Sequence, residues 1–283
     1  MAIGIGVGRE AVALEHRPRP VRARPARAQR VVYLLDCFPV ASQTWIPQEL
    51  QALAAAGREV RVIAIHRPPR DKAARDALGE AWGRRTEYLC DIGGREAARA
   101  HWRLGRQLGR AYHLTAHMLR RHGGPRSSWR APMAAGLMRG HAPDYLHTHF
   151  PNVTGALIAV VAGLLRVPWG VTMHHWDIYK CPPRDLPGLI ERAAFLCTVS
   201  DYNRSYLLET FPALRAGKLR VNHPGIDCDK FAPVDGGGSA DRNILSVGRL
   251  VPDKNYAAAV RICRRLVERG MRVTWRVVGG GPC

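Results

Sequence analysis

The sequence predicts an α/β protein with one complete doubly wound, Rossmann-like domain and an incomplete second domain of the βαβ type. From Arg30 onwards, short apolar runs alternate with helical segments, the pattern of a parallel sheet covered by helices on both faces. After a glycine-rich stretch, one more strand, helix and strand follow, and the last strand runs into a turn of three glycines. Such a turn favours a phosphate-binding loop, because glycine lets backbone N–H groups approach an anion closely.

Four segments are expected along the 283 residues. Residues 1–29 are rich in arginine and proline without a periodic apolar face, which predicts a disordered basic tail. Residues 30–231 form the first domain, residues 232–240 a linker, and residues 241–283 the second domain. The second domain holds too little chain to cover both faces of a parallel sheet, so we expect it to be truncated.

The elements follow from the periodicity of apolar residues, with Gly57 as the expected stop of the first helix. The predicted strands of the first domain are Val31–Asp36, Glu59–Ile65, Asp144–His147, Trp169–Met173, Phe195–Val199 and Leu219–Asn222. The predicted helices are Thr44–Ala56, Asp71–Arg84, Arg95–Arg121, Thr154–Leu165 and Tyr202–Thr210. In the second domain, strands Asn243–Val247 and Val273–Val278 flank a helix over Asn255–Arg269.

Composition restricts the partners and the compartment. With 43 Lys and Arg against 23 Asp and Glu, the net charge of +20 indicates an anionic partner: nucleic acid, acidic lipid or a phosphorylated substrate. Nucleic acid is not expected, because no helix-turn-helix, RNA-recognition or zinc-finger pattern is present. The seven cysteines are scattered without a C-x-x-C pair, which argues against disulfides and structural zinc. Without a secretory signal or an apolar run of about 20 residues, we expect a cytoplasmic protein.

Polar residues surround the predicted start of the first helix. Ser42 and Thr44 lie in the segment from Phe38 to Leu50, with Pro47 in the first helical turn. Both hydroxyls suit either a simple helix cap or a place in a substrate cleft.

Histidines follow two neighbouring predicted strands. His147 and His149 lie where a strand is followed by a helix, which is the edge at which open α/β sheets bind ligands. Both could equally be strand-end histidines with a purely structural role. An H-x-H pair could also begin a metal site together with the segment from His174 to Asp177, but no fixed carboxylate pattern supports this and we expect no metal. Further along, Ser200 lies before a helix, where its hydroxyl suits an anion, in a segment that is otherwise architectural.

The strongest local pattern is Gly248-Arg249-Leu250-Val251-Pro252-Asp253-Lys254 at a strand–helix junction. A guanidinium fork and a mobile ammonium beside a helix N-terminus stabilise a phosphate as negative charge develops on it. Gly279, Gly280 and Gly281 form the glycine turn that is the second candidate for phosphate contact.

Four segments, taken in their order along the chain, resemble the GT-B glycosyltransferases of family 4, in particular the exopolysaccharide, colanic-acid-type branch. They are Phe38–Leu50, His174–Asp177, Arg249–Lys254 and the terminal glycines. The resemblance covers about residues 31 to 282. It implies a retaining transferase of hexosyltransferase type, with a nucleotide-sugar donor, a front-face mechanism and no metal. Asn255 replaces the usual glycine, and the family's E-x7-E segment has no counterpart here, so no glutamate receives its roles.

By the same resemblance, His174 contacts the donor sugar or its phosphate and is the expected catalytic residue. Arg249, Lys254, Gly248 and the terminal glycines are expected to grip the donor diphosphate. Ser42, Thr44, His149, Asp177 and Ser200 are expected on the acceptor side or in the cleft.

The predicted helix Arg95–Arg121 carries arginines about four residues apart, interleaved with Trp102 and leucines. This pattern fits either a helix on an anionic membrane surface, which implies a lipid-linked acceptor, or an ordinary solvated face. Two functions therefore stay open: a glycosyltransferase of cell-surface polysaccharide synthesis, possessing a truncated donor domain, or a non-catalytic remnant that binds a membrane or partner protein through its first domain.

Overall fold

Seven parallel strands form the sheet of the larger part of the molecule, in the order β3-β2-β1-β4-β5-β6-β7. A computed structural model describes residues 29–70, 72–108, 130–226, 228 and 242–282. The chain divides into two compact units between Gly225 and Ile226. The strands of the first unit are β1 Arg30–Cys37, β2 Glu59–His66, β3 Thr86–Tyr88, β4 Tyr145–His149, β5 Trp169–Met173, β6 Phe195–Thr198 and β7 Leu219–Val221.

The helices of this unit connect successive strands. They are α1 Trp45–Ala55, α2 Ala77–Arg84, α3 Gly94–Leu108, α4 over residues 130–140, α5 Pro151–Leu165, α6 Leu186–Arg192 and α7 Asp201–Thr210. Between β5 and α6 the chain makes a π-helical turn, Trp176–Lys180.

Alternate residues of the central strands enter two separate cores, because successive side chains of a strand point to opposite faces. Val32 and Leu34 of β1 belong to a large core that includes α4, α5 and α6. Tyr33 and Leu35 belong to a smaller core with α1 and α2. The sheet is therefore covered on both faces, which confirms the predicted doubly wound α/β class.

Three elements were not predicted: β3, α4 and α6. β3 has three residues, and α6 has seven with a proline in its first turn, so neither gives a clear periodic pattern.

The predicted helix from Asp71 to Arg84 is wrong in its first half. The backbone of residues 72–74 pairs with residues 39–41, through a bridge between Val40 and Ala73 and a hydrogen bond from Ala41 N–H to Lys72 C=O. α2 begins only at Ala77, where Asp76 accepts a hydrogen bond from Gly79 N–H. Asp71 lies outside the described residues.

Other predicted bounds differ by a few residues at most. Gly57 has φ = +77° directly after the first helix, the left-handed conformation that ends helices. β4 extends through His149 rather than ending at His147, since His149 still pairs with β5. α3 is described as far as Leu108, so the predicted continuation to Arg121 lies outside the described residues.

The second unit contains β8 Arg242–Val247, α8 Tyr256–Glu268 and β9 Val273–Val278, with β8 and β9 paired in parallel. These are the predicted strand, helix and strand. The predicted tail and linker fall almost wholly outside the described residues.

No helix in the described part of the chain is long and apolar enough to span a bilayer. Six cysteines are described, all as free thiols, while Cys283 is not described.

Candidate functional site

The strand order places a topological switch point between β1 and β4. From β1 the sheet grows towards β2 and β3 on one side, and from β4 towards β5, β6 and β7 on the other. Ligands of open α/β sheets bind outside the carboxyl ends of the strands at such a point. Here those ends are Cys37 of β1 and His149 of β4.

A cluster of polar side chains lies at this switch point, on the α1 side of the sheet. His147 and His149 are two residues apart in β4 and therefore share a face, and Tyr33 of β1 pairs directly with His147. Helix α1 contributes Glu49. The Tyr33 hydroxyl donates to Glu49 Oε1 at 2.5 Å, and His149 Nε2 lies 3.5 Å from the same oxygen.

Both histidines of β4 are buried, with exposures of 4% for His147 and 2% for His149. His147 Nε2 forms a hydrogen bond of 2.9 Å with the Thr172 hydroxyl of β5. Both side chains are therefore enclosed within the protein rather than open to a crevice, and His149 is linked to the strand ends by its contact with His174.

That neighbour is His174, the first residue after β5. His149 Nδ1 lies 3.1 Å from His174 Nε2, and the His174 ring is half-buried between two aromatic rings. Phe150 stacks on it at a centroid distance of 4.4 Å, and Trp45 lies at 5.5 Å. Phe150 has φ = +59°, which is uncommon for a bulky residue. Such backbone conformations are concentrated at functional sites.

Buried polar groups fix the backbone of His174. The Asp177 carboxylate accepts two hydrogen bonds from His174 N–H, at 3.0 and 3.2 Å, and the Asn203 amide donates to His174 C=O at 2.8 Å. Ser200 Oγ in turn accepts from Asn203 N–H at 3.2 Å as the N-cap of α7. The sequence placed Asp177 and Ser200 in the cleft, but Asp177 is 0% exposed and Ser200 caps a helix, so both act on the protein's own backbone.

Burial also sets the charge states in the cluster. It lowers the pKa of His147 and of His174 to about 3, with the neighbouring His149 acting in the same direction, so both imidazoles are neutral at neutral pH. Burial alone would raise the pKa of Glu49, but the contacts with His149, His147 and Tyr33 outweigh it and bring the pKa to about 2. Burial raises the pKa of Asp177 to about 6, against the two backbone hydrogen bonds.

Glu49, His147 and His149 bring potential metal-ligating atoms within 4.8 Å of one another. These atoms already have protein partners: Tyr33 for Glu49, Thr172 for His147, and Glu49 and His174 for His149. His149 Nε2 is the exception, because it is buried and its approach to Glu49 Oε1, at 3.5 Å, is long for a hydrogen bond. This set also differs from the alternative that the sequence left open, which joined the histidine pair to His174, His175 and Asp177.

The remaining predicted residues of the first unit lie on the surface. Ser42 and Thr44 are exposed, and Thr44 occupies the N-cap position of α1 without a side-chain capping hydrogen bond. Helix capping by its side chain therefore does not explain why a threonine occupies position 44. His175 is exposed, in contrast to His174.

In the second unit, the predicted anion residues follow β8. Arg249 and Lys254 are exposed, with Lys254 in a 3₁₀ turn, Pro252–Lys254, that precedes α8. Asn255 holds φ = +50° and ψ = +46°, and its side chain accepts from Ala258 N–H. Asparagine tolerates this left-handed conformation, so it can take the place of a glycine while capping the helix.

The terminal glycines lie against the loop after β8. Leu250 N–H donates to Gly280 C=O at 2.9 Å, and Gly248 N–H donates to Val278 C=O at 3.0 Å. An added Cβ on Gly279 would overlap the Gly248 carbonyl oxygen, and one on Gly281 would overlap that of Leu250. Close packing of two backbone segments therefore already requires these two glycines.

Sequence reasoning missed Tyr33, Glu49, Phe150 and Asn203. A signal exists for Glu49, since it lies beside the buried Ile46 and Leu50 on the apolar side of α1. A polar group on such a face needs a buried partner. No comparable signal points to Phe150, whose role depends on its backbone conformation.

Comparison with solved structures supports the fold. The catalytic domain of starch synthase IV from Arabidopsis thaliana, bound to ADP and acarbose, superposes with a TM-score of 0.51 at 14% identity, covering 91% of this chain and 69% of that one. A glycosyltransferase from Rickettsia africae gives a TM-score of 0.52 at 11% identity, over 88% of this chain and 68% of that one. An alpha-glucosyltransferase in complex with UDP and DNA gives 0.51 at 13% identity, over 89% and 57%.

Sequence comparison gives relatives and a family. WcaL of Escherichia coli (strain K12), named as a colanic acid biosynthesis glycosyltransferase, is 24% identical over 270 residues, and its counterpart in Salmonella typhimurium is 25% identical over 270 residues. Each alignment covers 89% of this chain and 64% of the relative, so the chain spans less than two thirds of their length. The model of Glycosyltransferase Family 4 matches residues 43–230, well over half of the chain. The chain belongs to Glycosyltransferase Family 4.

Proposed function

We propose that the protein transfers a sugar from a nucleotide-sugar donor to a glycan acceptor in the synthesis of a cell-surface polysaccharide, with retention at the anomeric carbon. The observation that carries the proposal is the cluster around His174, at the carboxyl ends of β4 and β5, in a chain of this family. The relation to WcaL supports the choice of an exopolysaccharide product.

His174 is the proposed contact with the reacting sugar. Its ring is half-exposed, its backbone is fixed by Asp177 and Asn203, and its imidazole is neutral at neutral pH. A neutral imidazole at a fixed position can orient a sugar by a hydrogen bond without competing for the phosphate charge.

Arg249 and Lys254 are the proposed contacts with the donor diphosphate, together with Gly248 and the terminal glycine turn. Both cations are exposed at a strand–helix junction, where the positive helix end adds to their charge. They would stabilise the departing diphosphate, so we propose a reaction without a metal cofactor. The ADP and UDP complexes of structurally similar proteins support a nucleotide as the leaving group.

Calorimetric binding of UDP, GDP and ADP to the full chain tests this assignment. Replacement of Arg249 or Lys254 by alanine should weaken binding of the favoured nucleotide by about tenfold or more, since hydrogen bonds to charged groups contribute about 1.5–3 kcal/mol. Arg261→Ala, an exposed arginine of α8, is the matched control and should leave binding unchanged. Failure of the folded wild-type chain to bind any nucleotide would contradict the proposal.

A second property is favoured by α3. This helix buries Ala97 but exposes Arg99, Arg103 and Trp102, the last at 62%, with the Arg106 guanidinium 5.0 Å from the Trp102 ring. A cavity of about 600 Å³, lined in part by arginines of α3 and leucines of α5, adjoins it. We propose that this face binds an anionic membrane, which would bring the enzyme to a lipid-linked acceptor.

Sedimentation with vesicles containing phosphatidylglycerol tests the membrane face. Trp102→Ala should lower partitioning about tenfold, since burial of an aromatic side chain contributes roughly 1.5–3 kcal/mol. Trp176→Ala, an exposed tryptophan outside α3, is the control. Vesicle binding by a folded chain that binds no nucleotide would favour the non-catalytic alternative, whereas equal partitioning of wild type and Trp102→Ala would contradict this role of α3.

A further inference from the structure

Four side chains from four segments form a continuous chain of polar contacts that ends at the surface. Tyr33 of β1 donates to Glu49 Oε1 at 2.5 Å, and Glu49 of α1 lies 3.5 Å from His149 Nε2. His149 of β4 then lies 3.1 Å, through Nδ1, from His174 Nε2. Each ring nitrogen of His149 therefore faces one neighbour, and the chain links a half-buried carboxylate to the half-exposed His174.

The carboxylate determines where His149 carries its proton. The contact of 3.5 Å is long for a hydrogen bond, but His149 Nε2 is buried and has no hydrogen-bonding partner among the described residues. A bare lone pair at this position would face the negative Glu49 oxygen, whereas an N–H dipole is attracted to it. Glu49 already accepts the Tyr33 hydroxyl hydrogen and, as a carboxylate, has none to donate. A His149 ring that carries a single proton therefore carries it on Nε2.

A neutral imidazole has one donor nitrogen and one acceptor nitrogen. The position of the proton on His149 therefore also determines the position of the proton on His174. With its proton on Nε2, His149 has a bare Nδ1, and His174 Nε2 must donate to it across 3.1 Å. We propose that Glu49 is a positioning residue that acts through His149 to hold His174 in one tautomer, with the proton on Nε2 and a bare Nδ1.

The consequence concerns what His174 can bind. Within the described part of the chain, no hydrogen bond reaches His174 Nδ1. A bare Nδ1 accepts a hydrogen bond, so it suits a hydroxyl of the sugar or acceptor and is repelled by a phosphate oxygen, which is itself only an acceptor. This last step rests on the proposed sugar transfer, whereas the tautomer does not.

Long-range ¹H–¹⁵N correlation spectra of the full chain, labelled at its 12 histidines, test the tautomer directly, because bare and protonated ring nitrogens resonate far apart. His174→Asn and His149→Asn identify the two sets of signals. At neutral pH the wild-type protein should show both rings protonated on Nε2 alone. A His174 ring protonated on Nδ1, or a His149 ring protonated on both nitrogens, would overturn the proposal.

Two variants separate positioning from general packing. Glu49→Gln removes the charge that favours one tautomer and should give a mixture of His174 tautomers, with kcat/KM for transfer lowered about tenfold. Tyr33→Phe leaves the carboxylate in place and should keep the wild-type tautomer. If Glu49→Gln does not fold, His149→Phe breaks the chain with a ring of similar size and should give the same mixture. Unchanged tautomers in the folded variants would refute the role of Glu49.

The spectra need no substrate, so the outcomes stay distinguishable. A single His174 tautomer in a protein without transfer activity would leave the positioning chain standing and refute the proposed function. Transfer activity in a wild-type protein whose His174 shows a mixture of tautomers would support the proposed function and refute the positioning role of Glu49.

Discussion

The two units use the same strand–helix–strand pattern but differ in what they bury. In the first unit, Val32 and Leu34 of β1 are 0% exposed, because helices cover both faces of seven strands. In the second unit, Leu245 and Val247 of β8 are 64% and 73% exposed, and none of its described residues is buried. The pattern alone therefore specifies strands and helices, while burial depends on how many layers pack on them.

This difference also separates the two candidate sites. The residues around His174 depend on buried partners that position them, such as Asp177 at 0% exposure. Arg249 and Lys254 are exposed, so their chemistry depends on local backbone geometry. We expect the first site to respond strongly to changes in packing and pH, and the second mainly to changes in its loops.

The largest contrast is expected for the same substitution in the two units. Leu34→Ala creates a cavity in the core and should lower the free energy of unfolding by about 2–5 kcal/mol. Leu245→Ala, at an exposed position of β8, should change it by less than about 0.5 kcal/mol. Urea unfolding followed by circular dichroism measures both. Equal losses would show that Leu245 is as well packed as Leu34.

A backbone contact should be the most sensitive point of the second unit. Gly279→Ala places a Cβ against the Gly248 carbonyl and should destabilise this unit by about 1–3 kcal/mol. An added Cβ on Gly280 meets nothing within 4 Å, so Gly280→Ala is the matched control. Hydrogen exchange of the β8 and β9 amides reports the difference. Similar exchange in both variants would refute the close packing of this turn.

Two opposing effects of pH on stability are expected in the first unit. Burial raises the pKa of Asp177 to about 6 from about 3.9 in an unfolded chain, so the folded state binds the proton more tightly between these values. This residue therefore makes the protein less stable as pH rises from about 4 to 6, by up to about 2 kcal/mol.

Two histidines act in the opposite direction. Burial lowers the pKa of His147 and His174 to about 3, so between about pH 3 and 6.5 the unfolded chain binds more protons and stability rises with pH. Asp177→Asn, which keeps an oxygen for His174 N–H, should remove only the Asp177 contribution and steepen the rise of Tm between pH 4 and 6. An unchanged slope would contradict the assigned burial of this carboxyl.

The smallest effect is expected for an exposed ion pair. Arg264 and Glu268 lie one turn apart on α8 with an N–O distance of 2.7 Å, and both are largely exposed. Glu268→Gln should lower stability by about 0.3–0.5 kcal/mol, less at high salt. Thermal unfolding at two salt concentrations measures this, and a loss near that of Leu34→Ala would contradict the contrast between the units.

Much of the fold could be predicted from sequence, because burial on both faces gives apolar runs of strand length. β5 and β9 have the predicted bounds, and most other strands differ by one or two residues. The second half of the predicted helix Asp71–Arg84 is correct. Its first half failed because long-range pairing with the loop at Val40 outweighed local helical preference.

The candidate site could be predicted only in part. His174 is named by the resemblance of its segment to the family, and in the structure it follows β5 and contacts His149 of β4. For Asp177 and Ser200 the structure shows hydrogen bonds to the protein's own backbone that the sequence did not predict, because a polar residue beside a strand end can serve its own backbone as well as a ligand. Glu49 and Tyr33 meet only through tertiary packing of α1 on β1, which local sequence does not encode.

Release of nucleoside diphosphate from a panel of UDP- and GDP-sugars shows whether the protein is a sugar transferase that acts through His174. The full chain is compared with His174→Asn and with His175→Asn, the exposed neighbour. We expect release by the wild type, a loss of roughly a hundredfold in His174→Asn, and little change in His175→Asn. Equal activity of the two variants, or no release from any donor by the folded wild-type chain, would contradict this role of His174.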